Sequence, residues 1–107
     1  MATYTAEAIT RAGTVPTART AASGDKLAPA DNASIWVING DASSKTLTFA
    51  NPGLNEDGEA NPDPARTIVN GTTKAISVNP KWADPSDGLI ALTWSATTSV
   101  TFYYVRV

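Results

Sequence analysis

The stretch from Ser34 to Phe49, SIWVINGDASSKTLTF, decides how this chain is read. Two apolar runs, Ile35-Trp36-Val37-Ile38 and Thr46-Leu47-Thr48-Phe49, flank a polar connector from Asn39 to Ser44. β-Branched and aromatic residues on either side of a glycine-containing break predict two antiparallel strands joined by a loop. The second run alternates, with Leu47 and Phe49 on one face and Thr46 and Thr48 on the other, as a half-buried strand does. The first run does not. With Ile35 and Val37 in the core, Trp36 and Ile38 point the opposite way. A strand apolar on both faces is covered by more of its own chain or reserved for a partner.

Working outward, the C-terminal twenty residues carry the clearest strand signal. Leu89 to Trp94 places Ile90, Leu92 and Trp94 on one face, Ser95 to Ser99 makes a turn, and Val100, Phe102 and Tyr104 align on the return. Upstream, Ala65 to Val69 and Thr72 to Val78 flank Asn70-Gly71, the strongest short hairpin signal, since a type I′ turn needs positive φ at both central residues. Gly24-Asp25 reads as a turn before a small strand at Lys26-Leu27-Ala28, closed by Pro29. All seven prolines fall outside the apolar runs, and no segment has a convincing helical pattern. The fold predicted is all-β, a small antiparallel β-sandwich or barrel, jelly-roll-like, with an extended N-terminal arm. Residues 1–24 form the arm and residues 25–107 the sandwich domain.

Composition narrows the chemistry. The 107 residues contain no Cys and no His, which removes disulfides, thiolate metal sites and the commonest general base. Net charge is −2 and the eight Lys and Arg are scattered, so no nucleic-acid footprint is expected. No apolar run approaches the ~20 residues of a membrane helix, and the N-terminus lacks the order of a secretion signal, so neither membrane nor export is expected. Asp57, Glu59, Asp63, Asp84 and Asp87 all stand among turn-forming residues, where Asp belongs for backbone reasons. No catalytic site, cofactor or metal is expected. Asn55 to Glu59 superficially resembles a calcium loop but lacks the regular ligand spacing and distal Glu.

Two features point to binding. The leader, rich in Ala and Thr, has few sizeable apolar groups, Tyr4, Ile9, Val15 and Pro16 among them. It reads as an extended arm with a short strand near Ile9, or as a disordered leader. An arm of this kind adds a strand to a neighbour. Trp94 is expected in the core, Trp82 as a lid on one end, and Trp36 at an interface, where its burial would contribute about 1.5–3 kcal/mol. The candidate interface residues are therefore Tyr4, Ile9, Val15, Pro16, Trp36 and Ile38. Alternatively, Trp36, Trp82 and Trp94 with Tyr103 and Tyr104 form a sugar-stacking platform, for which Trp36 and Trp82 would have to be exposed and coplanar.

The order of signals resembles the small decoration (cement) proteins that coat the heads of tailed bacteriophages. The matching pieces are Ala21-Ala22-Ser23-Gly24-Asp25, Ile35 to Gly40, Thr46 to Phe49, Asn51-Pro52-Gly53, Asp57-Gly58, Pro64 to Thr67, Asp87-Gly88 and Leu89 to Val107. The likeness covers residues 21–107 and departs from the pattern at Trp36 and Ile38, positions often polar there. It implies a non-enzymatic virion component on the capsid exterior, made in the host cytoplasm. Its partners would be the major capsid protein and further copies of itself, commonly as a trimer. A carbohydrate-binding or host-adhesion module and a tail-tube or head-completion protein are the alternatives.

Overall fold

Leu47, Phe49, Ile90, Leu92 and Trp94 are all buried, and so are Ile35, Val37, Val100, Phe102 and Tyr104. Each set lies on one face of its strands, so the core forms where two sheets close on each other. The computed structural model describes residues 2–54 and 56–107. In chain order the strands are β1 (Thr3–Tyr4), β2 (Glu7–Ala8), β3 (Arg19–Thr20), β4 (Lys26–Leu27), β5 (Ala33–Asn39), β6 (Lys45–Phe49), β7 (Ala65–Ile68), β8 (Thr73–Ser77), β9 (Ile90–Trp94) and β10 (Val100–Arg106). One sheet runs β1-β4-β9-β6-β7; the other runs β2-β10-β5-β8, with β3 also paired to β10. The all-β sandwich expected from the sequence is what forms.

Three details differ from the simplest reading. First, the sheets are mixed, because β1 runs parallel to β4 and β2 parallel to β10. Second, the leader is extended but does not stand off the body. Its strands pair within this chain, β1 on one sheet and β2 and β3 on the other, where Ile9 N–H also donates to the Arg106 carbonyl. Third, the connections expected to be hairpins cross between sheets instead. β5 and β6, β7 and β8, and β9 and β10 each lie in different sheets. At Asn70-Gly71 positive φ occurs only at Gly71, and Thr72 N–H donates to the Val69 carbonyl. That is a type II arrangement, which lacks the twist that would fold β8 back onto β7.

The crossovers meet at one buried residue. Asn39, 1% exposed, ends β5. Its Nδ2 donates to the carbonyls of Ser43 and Ile68, both at 3.0 Å, and its Oδ1 accepts from Asp41 N–H. Its backbone N–H donates to the Thr72 carbonyl and its own carbonyl accepts from Gly71 N–H, while the next residue, Gly40, donates to the Ser99 carbonyl. The ends of all three crossovers are thereby fixed together. At the other end Tyr104, on β10, donates its hydroxyl to the Ala28 carbonyl just after β4 at 2.7 Å, tying one sheet to the other. Burial pushes its phenol pKa up. Trp82, in the short 3-10 turn Pro80–Trp82, stacks on Phe49 with ring centroids 4.9 Å apart, the lid expected of it.

Two predictions follow from these contacts. Asn39→Ala leaves two inward carbonyls without their donor and should cost about 2–4 kcal/mol in denaturant unfolding. Asn39→Asp should cost more at neutral pH, because a carboxylate sets oxygen against oxygen at Ser43 and Ile68. The second concerns Asp87, whose pKa is lowered by its hydrogen bond from Lys26 and by Leu89 N–H, while that of Lys26 is raised by Asp87. A depressed carboxylate stabilises above its unfolded pKa of about 4, and that contribution is lost as pH falls through the folded value. A raised lysine contributes below about pH 10 and loses its share as pH rises further. Asp87→Asn should therefore flatten the acid limb of the stability curve, measured by urea unfolding from roughly pH 3 to pH 7.

Candidate functional site: an apolar groove under the leader

Strand alternation puts Ser34, Trp36 and Ile38 on the outer face of the second sheet. Pairing sets them beside Thr101, Tyr103 and Val105 of β10 on one side and Thr73, Ala75 and Ser77 of β8 on the other. None of these outward positions is charged. Trp36 lies between Tyr103 and Ala75, and with alanine on one flank its indole stays 46% exposed. Its Nε1 donates to the Ser34 hydroxyl at 3.2 Å, which satisfies the ring's one polar atom on the surface itself.

The leader builds the other wall. Between β2 and β3 the chain makes an excursion over this face, closed at its neck by Glu7. The Glu7 carboxylate accepts from the Thr17 N–H at 2.8 Å and from the Thr17 hydroxyl at 3.2 Å. Midway, the Thr14 hydroxyl donates to the Ala8 carbonyl and accepts from Thr10 N–H, both at 3.1 Å. This pins Thr14 beside Ile9. A groove of about 390 Å³ results, lined by Ile9, Thr14, Pro16, Trp36, Tyr103 and Val105. Val105 points outward yet is buried, covered by the leader.

Of the six residues singled out from the sequence, Ile9, Pro16 and Trp36 are thus brought together. Val15 sits on the returning limb of the excursion, past the turn at Arg11-Ala12, 93% exposed, and Ile38 lies half-buried on the same face beyond the groove. Tyr4 goes elsewhere. It packs edge-on against buried Phe102 at 5.2 Å, under the Arg19 guanidinium at 5.3 Å, as a plug on the core rather than part of this surface. Sequence reasoning did not name Thr14, Tyr103 and Val105 as interface residues; Tyr103 and Val105 become visible once β10 is paired beside β5. Trp36 and Trp82 share no surface, since Trp82 packs toward the core on Phe49, so the two-tryptophan sugar platform is not formed. Asn55, which opens the calcium-like stretch, lies outside the described residues. Among the described residues no group of three or more His, Cys, Asp or Glu could hold a metal ion, and no helix is long and apolar enough to cross a membrane.

Compared with known proteins, the chain matches no family model, and neither a curated protein nor a solved structure is significantly similar to it. The groove is therefore interpreted from its own chemistry. Its leader wall hangs on Glu7. Glu7→Ala removes both neck hydrogen bonds, each worth roughly 0.5–1.5 kcal/mol. Amide exchange over residues 9–18 should then accelerate about tenfold while the exchange of β5 and β10 stays unchanged.

Proposed function

We propose that this chain is a non-enzymatic decoration protein of a tailed-phage head, bound to the major capsid protein on the outer surface as a small oligomer. The observation that supports this reading is the distribution of charge over a flat body. The chain measures 41 × 35 × 21 Å, a slab. Apart from Glu7 at the neck of the leader, its second sheet presents uncharged outward positions around the Trp36 groove. The outer face of the first sheet carries Thr46, Thr48, Thr67 and Thr93, with Lys26 there paired to Asp87. Most charged side chains lie in the connections or at strand ends. A slab of this kind can be laid against a protein shell with few ions to desolvate, and interface centres are depleted in charge for that reason. Several copies held together add their weak contacts through high effective concentration.

The test is co-sedimentation of the purified chain with empty, expanded head shells of its phage. Saturable pelleting with a fixed stoichiometry per capsomer is expected, and Trp36→Asp should weaken it about tenfold or more. A chain left wholly in the supernatant at concentrations well above those of the shell would overturn the reading.

A further inference from the structure

We propose that two copies of this chain pair through the outer faces of their second sheets, with Val15 of each copy seated in the groove of the other. The contact does not depend on the capsid reading; it leaves the threonine-covered outer faces of the first sheets free to meet a shell, and it is two-fold, unlike the trimer implied by the resemblance.

The first argument is position. Val15 is almost wholly exposed, and its chain neighbours Thr14 and Pro16 both line the groove. Val15 therefore stands on the groove's own wall, its side chain turned away from the hole that its neighbours line. When such a face meets its own copy about an axis running between them, each knob reaches the opposite hole and both contacts close at once. A knob and a hole on remote surfaces would build an open chain of copies instead. An unrelated partner would have to bring a separate pocket for Val15; a second copy already has one.

The second argument is charge. Self-contact sets a face against its own charges, and a face of one sign repels itself. The outward positions of β5, β8 and β10 carry none, and the leader over them brings opposite signs, Glu7 in register with Val105 and Arg11 in the excursion, so the face is not of one sign. Aromatic anchors at the centre of an uncharged patch, here Trp36 and Tyr103, match the composition of interface cores.

The third argument is area. The seven residues of β10 and a width of four strands span roughly 23 by 19 Å at ~3.3 Å per residue and ~4.8 Å per strand. The leader lies over part of this footprint and raises its relief, so the face offers about 600 Å² per partner, the low end of stable interfaces. A contact of that size is expected to dissociate in the micromolar range.

Sedimentation equilibrium of the full chain over roughly 1 to 500 µM should show a monomer–dimer equilibrium, and Val15→Asp should weaken it about tenfold or more. Val15 is exposed in the monomer, so this variant keeps its fold, checked by circular dichroism. Leu54→Asp, at an exposed apolar residue away from the groove, should leave the equilibrium unchanged. Because the chain has no cysteine, a Val15→Cys copy mixed with a Tyr103→Cys copy should give an oxidised cross-link between the two. A monomer throughout the range, a trimer, a dimer indifferent to Val15→Asp, or failure of the mixed cross-link would each overturn the proposal.

Discussion

One buried amide sets the terms on which the two sheets meet. Asn39 serves β5 as its last inward residue; its side chain supplies donors and an acceptor to two crossing connections, and the Gly40 N–H beside it reaches the third at Ser99. A sandwich whose consecutive strands change sheet must bend its backbone at each crossing, and every bend takes N–H and C=O groups off the ladders. Here the Ser43 and Ile68 carbonyls receive Nδ2 while the Asp41 N–H finds Oδ1, so the bends are satisfied by one side chain in place of water. An amide is suited to this because it donates twice and accepts at the other end. Lys45, buried at the start of β6, supports the same corner through Asp41 at 2.7 Å and Ser43 at 3.1 Å. The Lys45 hydrogen bond is the main reason the Asp41 pKa is lowered.

With that corner fixed, the sheet edges are treated differently on the two sides. The leader covers one edge of each sheet, laying β1 along β4 and β2 and β3 along β10. The opposite edges, β7 and β8, have no strand beyond them, and there Lys74 faces inward and donates to the Thr67 carbonyl at 2.8 Å, bridging one sheet to the other. An inward lysine on an edge strand opposes strand addition by another chain, since pairing there would have to displace or bury the charge. Edge-to-edge growth is thus discouraged on both sides, and what remains for association is the broad faces.

The sequence made the faces of the long strands readable and left their partners hidden. Alternation in Leu47–Phe49, Ile90–Trp94 and Val100–Tyr104 states which side is buried, since the period of two is a property of each strand alone. It says nothing about which strand lies alongside, so β5–β6 and β9–β10 read as hairpins although each pair divides between sheets. Asn70-Gly71 misled for a related reason: the dipeptide is compatible with I′ and II turns, and tertiary contacts to Asn39 chose the second. The leader was harder still. Strands of two residues carry no period, and a lone large apolar residue in a polar segment can turn inward, as Tyr4 does, or outward, as Ile9 does. Trp36 was legible because it broke the alternation of an otherwise regular strand.

That break locates where stability has been given up. An indole left 46% exposed forgoes much of the burial free energy that a tryptophan can supply, about 1.5–3 kcal/mol for a large apolar side chain. A threonine at position 36 would suit the same backbone, as Thr46, Thr48 and Thr93 suit the outer face of the other sheet. The two faces therefore do not differ because of what the strands need. They differ because one carries aromatic side chains, an overhanging leader and an exposed apolar residue, Val15. Their energetic return comes only when something else covers the face.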